Sequence, residues 1–99
     1  MLLTENLYSR FTMNLDTTRI GIIGLGYVGL PLAVEFGKHF PTVGFDLKPD
    51  RVAELRAGLD STREITPEEL QAASQLSYIT DPADLANCNV YRDARAGLP

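Results

Sequence analysis

A single cysteine, Cys88, rules out an intrachain disulfide and leaves no thiolate set for a metal cluster. Its ordinary role is that of a small buried side chain. Tryptophan is absent, and the sole histidine, His39, stands where a helix should end, so it reads as a helix-terminal residue rather than a catalyst. Lys and Arg number 9 against 13 Asp and Glu, a net charge of −4 with no basic cluster, which argues against nucleic acid as a partner. No apolar run approaches the roughly 20 residues that span a bilayer. The start MLLTENLYSR also lacks the basic and apolar regions of a secretion signal. Membrane association is therefore not expected, and the expected compartment is the cytoplasm. At 99 residues the chain holds one domain at most. Its 44% hydrophobic and 22% charged residues are those of a globular segment rather than a disordered one.

Residues 1–18 show no sustained period and are expected to be an extension, with Met13 a candidate natural start. Residues 19–23 carry a β-branched apolar run, as in a parallel strand covered on both faces. From Tyr27 to Phe40, Val28, Leu32 and Phe36, with Ala33 beside them, follow helical spacing. Pro31 falls at the edge of the first turn, where it is tolerated, and Lys38 and His39 fall in the last. A second strand is expected at 42–46, ending on Asp46, then a helix over 50–57 through Val52 and Leu55, stopped by Gly58. Thr66-Pro67-Glu68-Glu69 is a capping box that opens a helix to about Ser74. A third strand is expected at 77–80, and Asp81-Pro82-Ala83-Asp84 looks like another capped start.

The segment Ile20 to Pro31, IGIIGLGYVGLP, places a G-x-G-x-x-G pattern between the first strand and the first helix. Gly24 would let the chain turn out of the strand, Gly26 would let backbone approach a pyrophosphate, and Gly29 would let the helix pack closely. Free N–H groups near Tyr27 and Val28, at the positive end of the helix dipole, suit phosphate. Asp46, 20 residues after Gly26, supplies a carboxylate for both adenosine ribose hydroxyls. That charge repels a 2′-phosphate and favours NAD over NADP, although Lys48 and Arg51 nearby weaken the preference. A flavin or S-adenosylmethionine site can share a glycine turn and an acid, so both stay open on fold grounds. The pattern is that of an α/β fold: a Rossmann-like doubly wound parallel sheet, incomplete, amounting to the first half of an NAD-binding domain, with right-handed crossovers.

Residues 19–91, with GIIGLGYVGLPLAVEFGK, VGFDLKPDRVAELRAGLDSTREITPEEL and LSYITDPADLANCNVY, resemble the amino-terminal part of the UDP-glucose/GDP-mannose dehydrogenase family. Within them, GLDSTREI resembles the branch acting on UDP-N-acetylhexosamines. The resemblance implies an NAD-dependent, two-step oxidation of a nucleotide-sugar C6 hydroxyl to a uronate, for polysaccharide synthesis. It implies that Val28 meets the pyrophosphate through its backbone, that Asp46 binds the adenosine ribose, and that Arg51 flanks the same ribose. From the pattern alone, Arg51 reads instead as a solvated helix residue. The family's catalytic Cys, Lys, Asn and Asp and its sugar-binding domain have no counterpart here, so no catalytic residue is assigned, Cys88 included. A UDP-sugar is implied as a substrate only of a complete parent enzyme. The alternative reading is a stand-alone nucleotide-binding or regulatory module.

Asn89-Val90-Tyr91 begins a fourth strand, but RDARAGLP follows where the family continues with an apolar strand. Charged Arg92, Asp93 and Arg95 suit a central parallel strand poorly. The specified fold is therefore expected to stop near Tyr91, leaving 92–99 as a tail outside the family pattern. One side of the first strand, at Ile20, Ile22 and Ile23, would then be exposed and open to self-association.

Overall fold

The computed structural model describes residues 18–94. The expected extension, apart from Thr18, and the tail from residue 95 lie outside the described residues. Strand β1 (Ile20–Ile23) leads through the glycine turn into helix α1 (Gly29–Gly37), then β2 (Thr42–Phe45) and α2 (Pro49–Arg56). Helix α3 (Pro67–Ala72), β3 (Leu76–Ile79), a 3-10 turn (Pro82–Leu85) and β4 (Val90–Asp93) complete the series. The four strands form one parallel sheet in the order β3-β2-β1-β4. This is the Rossmann-like α/β architecture, and β1 runs through the middle of it. Alternate residues of β1 point to opposite faces. Ile20 and Ile22 join Leu30, Ala33, Val34, Leu55, Leu70 and Ala73 in the larger core. Ile23 packs against a smaller cluster of Phe45, Leu85 and Cys88 on the other side. The cysteine is buried, as its sequence context implies.

The fourth strand corrects the sequence reading. β4 forms beside β1, pairing Ile20 with Val90 and Ile23 with Asp93, so both sides of β1 are covered. Asn89 prepares this register: its Oδ1 accepts from Arg19 N at 2.9 Å, and its own N–H donates to Arg19 O at 2.9 Å. Charge is tolerated because, among the described residues, β4 is an edge, exposed at every residue. Its ladder needs only backbone groups, and Arg92 and Asp93 keep their hydration. Charges on an edge also oppose further strand addition, which removes the expected basis for self-association through β1.

Helix α1 corrects a second expectation. The buried stripe is Gly29, Leu30, Ala33, Val34 and Gly37, while Val28 caps the helix and is 55% exposed. Leu32 and Phe36 are only partly buried, at the edge of the core. The helix lies so close to the sheet that small residues form the contact. A Cβ on Gly29 would stand 1.6 Å from Gly24 O, and one on Gly37 would stand 2.6 Å from Leu76 Cβ. The packed face therefore lies beside the row of Val28, Leu32 and Phe36, on Leu30, Ala33 and Val34 with a glycine at each end. Pro31 lies in the first turn as expected, whereas Lys38 is the C-cap and His39 follows the helix.

The capping box at Thr66 forms in both directions with Glu69, and Gly58 closes α2 at φ +85°. Between them Asp60, whose side chain is fully buried, organises the connection. Its carboxylate accepts from Thr62 Oγ1 at 2.7 Å, Thr62 N at 3.0 Å, Glu64 N at 2.9 Å and Ile65 N at 3.0 Å, and from Arg51 Nη1 at 2.8 Å. The turn passes through Arg63 at φ 60°, a left-handed conformation that these bonds hold in place. Burial by itself would raise the Asp60 carboxyl, but the hydrogen bonds from Thr62, Arg51 and Ile65 outweigh it and lower the pKa from 3.8 to about 2.

Two outcomes follow from this packing. Because the folded pKa of Asp60 is depressed, the charged carboxylate contributes stability above pH 4, and that contribution is lost as pH falls through about 2. The loss is expected to be roughly 2 kcal/mol, read as a falling urea midpoint between pH 5 and pH 2, with Asp60→Asn flattening that part of the profile. Gly29→Ala is expected to cost about 3 kcal/mol in the same assay, since the new methyl meets backbone rather than a movable side chain.

Candidate functional site

The glycine turn sits at the carboxyl end of β1, beside the carboxyl end of β2. The order β3-β2-β1-β4 also makes β1 the strand at which the chain changes direction across the sheet, and in open α/β sheets ligands bind outside the carboxyl ends of the strands at such a point. Gly24 takes φ +96°, a conformation costly for a side-chain-bearing residue, and its N–H donates to Phe45 O at 2.8 Å. Space beside Gly26 is open, with no atom within 4 Å of where a Cβ would lie. Tyr27 and Val28 follow on the surface, at 68% and 55% exposure. The chain enters α1 with Leu30 N donating to Gly26 O at 3.1 Å. Within the described residues, the N–H groups of Gly26, Tyr27 and Val28 have no hydrogen-bond acceptor, as befits a helix start. An uncovered row of donors, an adjoining space free of side chains and the positive end of a helix dipole together fit a diphosphate.

Leu25 ties this turn to the rest of the site. Its side chain is wholly buried against Gly44. Its N–H donates to Asp46 Oδ2 at 2.9 Å, while its carbonyl accepts from Arg51 Nε at 2.8 Å. Asp46, at the end of β2, accepts a second bond from Lys48 N at 3.0 Å through Oδ1. A carboxylate has about four lone-pair positions, so each oxygen keeps capacity for a hydroxyl donor. Asp46 and Arg51 thus meet at Leu25, one on each of its two flanking peptide groups, immediately before Gly26.

Arg51 departs from the solvated residue that its pattern suggested. Its side chain is only 10% exposed, and Nη1 pairs with Glu54 Oε1 at 2.9 Å and Asp60 Oδ1 at 2.8 Å. Burial opposes its charge, but the bonds to Asp60 and Glu54 prevail and raise the guanidinium above its ordinary value. Nη2 is buried and has no partner among the described residues. Glu54 is held below the usual carboxylate range chiefly by Arg51, and also accepts from Ser61 Oγ at 3.0 Å. Sequence reasoning passed over Glu54 and Asp60. The Asp-Ser-Thr run was a legible turn signal, but its link to an arginine nine residues earlier had no local signature.

A family profile described as UDP-glucose/GDP-mannose dehydrogenase family, NAD binding domain, matches residues 18–91. The chain is 55% identical over 73 residues to a UDP-N-acetyl-D-glucosamine 6-dehydrogenase of Pseudomonas aeruginosa, covering 74% of this chain and 17% of that protein. It is 49% identical over 77 residues to the Salmonella typhi enzyme of the same name, covering 78% of this chain and 18% of that protein. The chain therefore spans less than a fifth of the length of these relatives. Among solved structures, a UDP-glucose dehydrogenase from Pyrobaculum islandicum superposes with a TM-score of 0.69 at 30% identity, over 78% of this chain and 19% of that one. With the profile covering most of the chain and the parallel sheet carrying the glycine turn as that fold requires, this protein belongs to the UDP-glucose/GDP-mannose dehydrogenase family, as an NAD-binding domain of it.

Proposed function

We propose that this chain supplies the adenosine side of the NAD site in a nucleotide-sugar 6-dehydrogenase. The observation that carries the reading is that Asp46 and Arg51 both hold Leu25, the residue that leads into the open glycine turn. Gly26, Tyr27 and Val28 hold the pyrophosphate through their N–H groups, Gly24 and Gly29 shape the turn, and Asp46 accepts from the ribose hydroxyls. Arg51 flanks the ribose by fixing the Leu25 carbonyl. Bound NAD supplies the hydride acceptor. In the parent enzyme the substrate is a UDP-sugar whose C6 hydroxyl is oxidised through an aldehyde to a uronate, and the likeness of GLDSTREI to the N-acetylhexosamine branch supports a UDP-N-acetylhexosamine. Such uronates serve cytoplasmic steps of polysaccharide synthesis. Among the described residues no helix is long and apolar enough to cross a membrane, and no group of His, Cys, Asp and Glu could hold a metal ion.

A second reading, a stand-alone nucleotide-binding or regulatory module without catalysis, is favoured by one observation: β4, the edge strand among the described residues, carries Arg92 and Asp93, charges that a solvent-facing strand tolerates better than a central one.

Calorimetric titration with ADP-ribose tests the site. Binding is expected, and Asp46→Ala should weaken it by about 1 to 3 kcal/mol through lost hydrogen bonds to the ribose. Equal affinity in a variant with an unchanged melt removes Asp46 from the site. Both readings also expect no accumulation of NADH when the pure chain meets NAD and UDP-N-acetylglucosamine, since no catalytic residue is assigned to it. Sustained turnover would contradict both.

A further inference from the structure

The groove beginning just past Asp46 is lined by Leu47, Lys48, Pro49, Asp50, Arg51, Glu54 and Ser61. A phosphate on the adenosine 2′ oxygen adds roughly two negative charges on the Asp46 side of the ribose. A free arginine beside that position would be an effective partner, because its fork of donors grips phosphate in pairs. Arg51 is the wrong kind of arginine for this. Its Nε is spent on Leu25 O, its Nη1 is shared between Glu54 and Asp60, and its Nη2 is enclosed within the protein. Two carboxylates surround one guanidinium, so the cluster carries a net negative charge. Glu54 also brings its charge to the groove itself.

We infer that Glu54 and Asp60 set the cofactor preference of this site, by committing Arg51 to themselves and to Leu25 and so withholding it from a 2′-phosphate. This role rests on the dinucleotide reading above. It answers the ambiguity that Lys48 and Arg51 introduce into the sequence: Lys48 is exposed, but the stronger phosphate ligand is already occupied. Asp46 repels the phosphate directly, whereas Glu54 and Asp60 act by position, through Arg51.

The test compares the affinities of the chain for ADP-ribose and for its 2′-phosphorylated counterpart by calorimetry. The unaltered chain is expected to prefer ADP-ribose by at least about tenfold. Glu54→Gln, which leaves Arg51 with one carboxylate partner instead of two, should narrow that ratio by about fivefold; in a Glu54→Gln/Arg51→Gln variant whose melt shows it folded, both affinities fall with the loss of the Leu25 anchor but the ratio returns to its original value, since the gain comes from Arg51. Asp60→Asn should shift the ratio in the same direction; because Asp60 also builds its turn, Glu54→Gln decides the matter if that variant does not fold. A Glu54→Gln variant that changes both affinities by the same factor makes these carboxylates structural only. A gain that survives Arg51→Gln makes Glu54 a bystander charge. Either result overturns the role. If the unaltered, folded chain binds neither ligand, the dinucleotide reading itself falls.

Discussion

The site depends on one residue, Leu25, whose two flanking peptide groups are each held from outside. Leu25 donates its N–H to Asp46 and offers its carbonyl to Arg51, so the turn between β1 and α1 is fixed from β2 and from α2 at once. Without these bonds the turn would be a surface loop with a row of unsatisfied donors, free to take many conformations. With them, Gly26, Tyr27 and Val28 are held where the helix dipole is most positive. Preorganisation of this kind lowers the ordering cost that a ligand would otherwise bear. The buried Leu25 side chain, seated on Gly44, fixes the same residue from below.

Arg51 can hold that carbonyl only because its own charge is balanced. A guanidinium with a largely buried side chain would be destabilising on its own, and Asp60 and Glu54 answer it at 2.8 and 2.9 Å. Asp60 in turn is affordable in the interior because backbone and hydroxyl donors surround it. The connection after α2 is thus part of the candidate site's foundation, even though among the described residues no hydrogen bond joins it to the glycine turn or to Asp46. Replacing any member leaves a buried charge without its counterpart, so the cluster is expected to respond to mutation as a unit.

Much of this was legible in the sequence. Gly24, Gly26 and Gly29 after a β-branched run, Asp46 at the end of the next strand, and the Thr66 capping box are local patterns, and the chain realises each of them. The buried face of α1 was misread because Leu30 and Val34, with Gly29 and Gly37 at either end, lie beside the row of Val28, Leu32 and Phe36, and only Ala33 belongs to both readings. β4 was misread because whether a strand is central or an edge is a property of the sheet, and charged Arg92 and Asp93 are costly only in the first setting. Arg51 and Asp60 escaped for a different reason. Their bond spans a turn whose path is set by tertiary packing, and no periodicity records it.

The most direct test of the account is residue-resolved amide NMR of the chain titrated with ADP-ribose. Saturable shifts are expected at Gly26, Tyr27 and Val28, together with Leu25, whose N–H and carbonyl tie the turn to Asp46 and Arg51, while amides of α3 and the 3-10 turn stay in place. Shifts confined to other parts of the sheet, or none at ligand concentrations in the millimolar range, would contradict it.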